Sequence, residues 1–394
     1  MTSTVGEGAP DLPRRRPRDR KQQILTVARE LFVEKGYPNV SMALIAEQVG
    51  ITAGALYRHF RNKAVLLERV VDDSFAWLGS PITQIDFGDA IAEATALVAD
   101  RPYLADLWTR ESRYLPADKR AELQERMRAW NESLAPALLR RRPDLDPGNV
   151  ELLLWSIQSM ISGIGRQTWR APASDRIAAV HAGLRASVAA ALVPTGAELG
   201  PERQRLFPSS MRERLLSAAF QQFNERGYDD TSLASLGAAV DVTGPNLYSH
   251  YESKADLLAA VLERGAHALW LGLNDALATS SEPVEAVAKL VRSYVVRARY
   301  WASSVEDPKG NDDLESAVQA FRREYIAEWV ALLVQARPEV NQRHARLKVQ
   351  LALSLVGDLY SNPSLVRVDT FHDNVAQLVL AVLFDHTSTT PGPS

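Results

Sequence analysis

Between polar ends and one polar seam, the apolar residues of this chain recur at the spacing of α-helices. Ile24, Ala28, Leu31 and Phe32 fall on one stripe, and Gly36 closes that helix. Ser41 stands where an N-cap belongs, ahead of a short helix Met42–Val49 with an apolar face of Met42, Ile45, Ala46 and Val49. Gly50 permits a tight turn. Thr52 caps a third short helix that runs through Phe60, and Lys63 opens a fourth that reaches about Trp77. The pattern predicts an all-α fold.

The pattern then repeats. Gly36–Tyr37 recurs as Gly227–Tyr228, an offset of 191 residues. The same offset carries Phe32 to Phe223, Ser41 to Ser232, Thr52 to Thr243, Leu56–Tyr57 to Leu247–Tyr248, His59 to His250 and Lys63–Ala64 to Lys254–Ala255. Further on, Arg141–Arg142–Pro143–Asp144 resembles Ala336–Arg337–Pro338–Glu339, now offset by 195. Charged helices are expected over Ala121–Leu139 and Leu314–Leu333. A period this long does not describe a solenoid; it describes two tandem copies of one small protein. The reading gives a disordered basic arm at 1–17 and a first head at 18–77. A first regulatory body covers 78–193 and a linker rich in Pro and Gly covers 194–209. A second head at 210–268, a second body at 269–386 and a disordered tail at 387–394 complete the chain.

Composition narrows the classes. The 394 residues are 46% hydrophobic and 24% charged, ordinary for a globular chain with more than one core. Lys+Arg number 45 against 48 Asp+Glu, a net charge of −3, so the chain is no bulk polycation although it can carry a basic patch. Cys is absent, which removes disulfides, thiolate metal sites and Cys nucleophiles. The N-terminus lacks the apolar stretch of a secretory signal and no apolar run is long enough to span a bilayer, so a cytoplasmic address is expected. No phosphate-cradling GxxxxGK[ST], GxGxxG, HExxH or GxSxG stands in the sequence, and the seven His form no pair at metal-ligand spacing. Neither an enzyme nor a cofactor is expected.

Two short helices joined at a glycine are the helix-turn-helix pattern, whose second helix presents its N-terminal residues to a DNA major groove. Ala53, Gly54 and Ala55 are small enough for close approach, and Leu56 should pack inward. Tyr57 and His59 can donate to phosphate, and Lys63 can add a charged contact. Upstream, Arg14, Arg15, Arg16, Arg18, Arg20 and Lys21 are opposed only by Asp19, a cluster suited to the DNA backbone or a minor groove.

The stretch SMALIAEQVGITAGALYRHFRNKAVLL resembles the DNA-binding head of the TetR family of transcriptional regulators, and TSLASLGAAVDVTGPNLYSHYESKADLL repeats it. The resemblance implies two tandem all-α units, each a helix-turn-helix head followed by a helical ligand-binding and dimerisation body. It gives base contacts to Thr52, Ala53 and Gly54, and phosphate contacts to Tyr57, His59 and Lys63, with Arg58 a further DNA-binding residue. In the second copy the positions are Thr243, Gly244, Pro245, Asn246, Tyr248, His250 and Lys254. The copies differ where it matters electrostatically. Gly50 becomes Asp241, Arg58 becomes Ser249 and Arg61 becomes Glu252. The second head is therefore expected to bind more weakly and to prefer other bases, with Asn246 able to read an adenine edge.

Within the bodies, Tyr103, Leu107, Trp108, Trp155 and Met160, and in the second copy Tyr300, Trp301, Tyr325 and Leu355, are the candidate pocket residues. The family resemblance implies a small-molecule effector there. The apolar lining suggests a lipophilic one, and Arg110–Glu111–Ser112–Arg113 beside aromatics resembles regulators of acyl-CoA-like or steroid-like molecules. The weakly charged helices Val150–Gln167 and Arg346–Tyr360, with the last helix of each copy, are the expected dimerisation elements. Copy one can then pair with copy two, giving a single-chain pseudo-dimer that reads unlike half-sites on double-stranded DNA, with whole-chain homodimers as the alternative. The rival functional reading is a helical sensor or adaptor that keeps its heads as scaffold without binding DNA.

Overall fold

The computed structural model describes residues 17–79, 86–166, 171–195, 208–228, 231–241, 249–298 and 312–385. Among them are 17 α-helices and no strand. The chain divides into two compact units, residues 1–80 with 103–127, and residues 81–102 with 128–394. This division does not follow the sequence repeat: the first unit takes part of the first body, and the second unit holds the remainder of both copies.

The first unit is built on α1 (Pro17–Lys35), α2 (Met42–Val49), α3 (Ala53–His59), α4 (Lys63–Ser74) and α6 (Tyr103–Thr109). The predicted stripe of α1 is its buried face: Ile24, Ala28, Leu31 and Phe32 are all in the core. α2 buries its four predicted residues, and α2 and α4 both pack on α1. α1 ends as the Gly36 N–H donates to Phe32 O at 2.9 Å and Gly36 takes φ 78, a conformation open to glycine. Ser41, Thr52 and Asn62 cap α2, α3 and α4, each accepting from the backbone N–H three residues on. α4 stops at Ser74 and a 3-10 turn, Ala76–Gly79, follows, so the helix is shorter than its apolar pattern suggests.

The second unit contains α5 (Phe87–Asp100), α8 (Pro147–Gly163) and α9 (Ala173–Ala189) of the first copy. α7 (Ala117–Arg141) supplies its later turns to this unit. The second copy contributes α10 (Met211–Arg226), α11 (Leu233–Ala239), α12 (Lys254–Ala278), α13 (Pro283–Arg297), α14 (Asp312–Ala336), α15 (Gln342–Tyr360), α16 (Pro363–Val366) and α17 (Phe371–Phe384). α8 and α15 begin earlier than the expected Val150 and Arg346. Asp146 and Asn341 cap them, and the first turn of each is polar. α8 packs on α9 and α15, and α17 packs on α9 and α15. Thus the two late helices of each copy share one core, from Met160 and Ile157 to Leu355 and Val379.

Candidate nucleic-acid interface

In the first head, Leu56 and Phe60 are buried at 0% and 2% exposure and fix α3 against α2. The opposite side of α3 is open. Thr52, Ala53, Gly54, Tyr57, Arg58 and His59 are all exposed, and Tyr57, at 51%, is a large aromatic left in solvent. Gly50 sits in the left-handed region at φ 72 and ψ 41, which makes the turn between α2 and α3.

Lys63 has a role that its sequence position did not disclose. Its ammonium donates to Tyr37 O at 2.8 Å and lies 4.2 Å from the centre of the Tyr37 ring. Burial pushes its pKa below the usual lysine value. In the second head, Lys254 donates to Tyr228 O at 2.8 Å and to Thr231 O at 3.0 Å, and stands 4.1 Å from the Tyr228 ring. In both copies the lysine clamps the turn that follows the first helix. The same correspondence holds elsewhere. Gln22 donates to Asp73 at 3.1 Å, and at the matching positions Arg264 makes two bonds to Glu213, at 2.5 and 3.0 Å. Lys21 stands over Phe60, as Arg212 stands over Tyr251. Phe32 meets Tyr37, and Phe223 meets Tyr228, both at 5.4 Å.

The second head departs at one backbone position. Asp241, in the place of Gly50, takes φ 59 and is the only described non-glycine residue with positive φ. Thr243, Gly244, Pro245, Asn246 and Tyr248 lie outside the described residues, as do Arg14, Arg15 and Arg16 and the side chain of Arg18. His250 is half-buried, with its carbonyl accepting from Arg212 at 3.1 Å.

The candidate pocket residues that are described fall in both units. In the first unit, Tyr103 lies under the Arg29 guanidinium, 4.1 Å from the ring centre, Leu107 is buried, and Trp108 meets the Phe75 ring edge-on at 6.2 Å. Glu111 is fully buried and accepts from the Tyr37 N–H at 2.9 Å and from Arg110 Nε at 2.5 Å. Arg110 also donates to Val33 O. The Arg110–Glu111 pair is thus engaged with the turn of the head itself. In the second unit, Met160 and Leu355 are buried among the late helices, and Trp155 is half-buried on α8. Tyr325 belongs to an aromatic cluster with Trp270, Tyr294, Phe321 and Trp329, where burial raises its hydroxyl pKa well above the tyrosine range. Tyr300 and Trp301 lie outside the described residues. Among the described residues no group of three or more His, Cys, Asp or Glu is placed to hold a metal ion, and no helix is long and apolar enough to cross a membrane.

A head of this kind, with a glycine-turned pair of helices and an exposed second helix, belongs to the helix-turn-helix class. Residues 24–70 and 215–261 each match the family model described as bacterial regulatory proteins, tetR family. The chain therefore carries two TetR-family heads in tandem. The HTH-type transcriptional repressor KstR2 of Mycolicibacterium smegmatis is 35% identical over 77 residues, 20% of this chain and 37% of that protein. An HTH-type transcriptional regulator of Staphylococcus aureus (strain USA300) is 41% identical over 58 residues, 15% of this chain and 31% of that protein. These matches span about a third of each relative's length. Among solved structures, a TetR-family transcriptional regulator from Bordetella parapertussis 12822 aligns with a TM-score of 0.40 and 21% identity, over 45% of this chain and 96% of that one. Salmonella enterica GusR aligns at 0.32 and 20%, over 43% and 96%.

Proposed function

We propose that the protein is a sequence-specific DNA-binding transcriptional regulator, a repressor released by a lipophilic small-molecule effector and working as a single-chain pseudo-dimer. One observation carries the reading: the exposed Thr52–His59 face, held out by buried Leu56 and Phe60 in a segment that matches the TetR model and recurs in the second copy. Thr52, Ala53 and Gly54 would meet base edges in a major groove, and Tyr57, Arg58 and His59 the flanking phosphates. Thr243, Gly244, Pro245 and Asn246 would read a different half-site. The shared core of α8, α9, α15 and α17 supports pairing of the two bodies within one chain, since these are the corresponding helices of the copies. A linker keeps such a pair at high effective concentration. The aromatic cluster around Tyr325 is the site we assign to a lipophilic or acyl-CoA-like effector.

The test is selection of duplexes from a random pool by the intact chain. Enrichment of two different half-sites at one fixed spacing is expected. A single palindrome would mean that one head dominates, in line with Ser249 and Glu252 replacing Arg58 and Arg61. No enrichment would sink the DNA reading and favour the scaffold role for the heads.

A further inference from the structure

Resting on the pseudo-dimer reading above, we infer that the face joining the two copies accepts only the unlike copy. Each half of the chain is shaped to pair with the other half and to reject a second copy of itself. The register between the bodies is fixed by geometry as well as sequence. Arg142 donates to Val188 O and Ala190 O; Arg337 donates to Leu383 O and Asp385 O, each residue 195 positions further along. On that register α8 corresponds to α15 and α9 to α17.

Gly183 marks where α9 meets α15. A Cβ there would stand 2.9 Å from Leu351 Cδ2, 3.3 Å from Met160 Sδ and 3.5 Å from Val382 Cγ2. The Ser187 hydroxyl approaches the same sulfur at 3.9 Å. The register partners of these residues invert their sizes. Gly183 corresponds to Leu378, Ser156 to Leu351 and Ser187 to Val382, while Met160 corresponds to Leu355; all are buried. The first copy therefore presents Ser, Gly and Ser where the second presents Leu, Leu and Val. Small against large closes this contact. Two first-copy faces would leave voids, and two second-copy faces would set leucine against leucine where a single Cβ is already too close.

The polar contacts follow the same rule. Asp358 accepts from Arg166 and from Ser159, both at 2.5 Å. Gly163 holds the position of Asp358 in the first copy, and Ser361 that of Arg166 in the second. The buried Asn374 donates to Asn149 Oδ1 and to Val193 O at 2.8 Å, and accepts from the Val193 N–H at 2.7 Å. Its register partner is Ala179, and that of Asn149 is His344. Arg343 pairs with Asp175 at 2.9 Å, and their counterparts are Gly148 and Thr370. A first-copy self-pair would lack Asp358, Asn374 and Arg343. A second-copy self-pair would lack Arg166, Asn149 and Asp175, and would leave Asn374 buried without these partners. The regulator is then confined to one head of each kind through this face.

The test is a pair of swap cycles in the full chain, read as melting midpoints. Arg166→Asp and Asp358→Arg each lower the midpoint by several degrees, and the two together recover most of the loss. Ser156→Leu with Gly183→Leu costs more, and adding Leu351→Ser with Leu378→Gly restores a cooperative melt. Losses that simply add in both cycles overturn the inference, because only complementary pairs rescue one another. The mass of the wild-type chain by light scattering tests the underlying reading separately. One chain's mass, 43.5 kDa, supports pairing within the chain. Twice that mass overturns it, and the swap cycles still decide whether unlike pairing is required.

Discussion

Gly50 and Asp241 occupy one backbone position in two copies, at φ 72 and φ 59. The left-handed region costs an L-residue about 1–2 kcal/mol, and somewhat less for Asp than for most. A Cβ at Gly50 meets nothing within 4 Å, so the difference between the copies here is conformational and not steric crowding. Asp241→Gly should stabilise the second head by about 0.5–1 kcal/mol. Denaturant melts of the full chain check this, and an unchanged or lowered midpoint refutes it. Lys63 makes the opposite case. Its bond to Tyr37 O and its seat over the Tyr37 ring stabilise the head directly. Lys63→Met should cost about 1–3 kcal/mol, the usual loss when a bond to a charged donor is removed. Hydrogen exchange of the Tyr37–Val40 turn should then speed up; unaltered exchange would show that the clamp contributes nothing. The sequence places this lysine in the motif without disclosing its bond to the Tyr37 carbonyl. A lysine stem reaches inward or outward from the same Cα, and only the fold decides which.

At the scale of elements, helix starts were the least legible part. The low charge of α8 and α15 sets their expected starts at Val150 and Arg346, but the helices begin at Pro147 and Gln342. The added turn is polar and is held by its caps, a signal in the residue before the helix and not in its stripe. α2 was fully legible, because Ser41, four buried apolar residues and Gly50 bound it on both sides. The cap of α8 also makes a pH prediction. Burial alone would raise the Asp146 pKa. Hydrogen bonds from Thr195 and from the Asn149 N–H and side chain outweigh that, and hold it below the usual aspartate value. A carboxylate with a depressed folded pKa adds stability at and above neutral pH. That stability is lost as pH falls below the unfolded pKa and through the folded one. The stability difference between the wild type and Asp146→Asn should therefore be largest near neutrality and shrink in acid. A difference independent of pH would mean that the charge is not what Asp146 contributes.

The duplication was legible in the heads because one gapless offset of 191 carries both their core residues and their exposed ones, and more faintly in the bodies, where the offset is 195. The interface between the bodies was legible only as weakly charged helices, since complementarity of size requires knowing which residues of the two copies meet. What the two scales share is asymmetry: like backbones with unlike chemistry. In the first head Arg58 and Arg61 are exposed, and the second head has Ser249 and Glu252 at those places. Each phosphate neutralised by a cation contributes about 0.9 to the slope of log affinity against log salt on duplex DNA. Arg58→Ser with Arg61→Glu would give the first head the charges of the second. Both side chains are exposed, so the melting midpoint should hardly move. Affinity for the selected duplex should fall, and the salt slope should shrink by up to about 2. The loss should fall on the half-site read by the first head, visible as a weakened footprint over that half alone. A slope that keeps its value, with the footprint intact, would mean that neither arginine meets phosphate and that the first head docks through other residues.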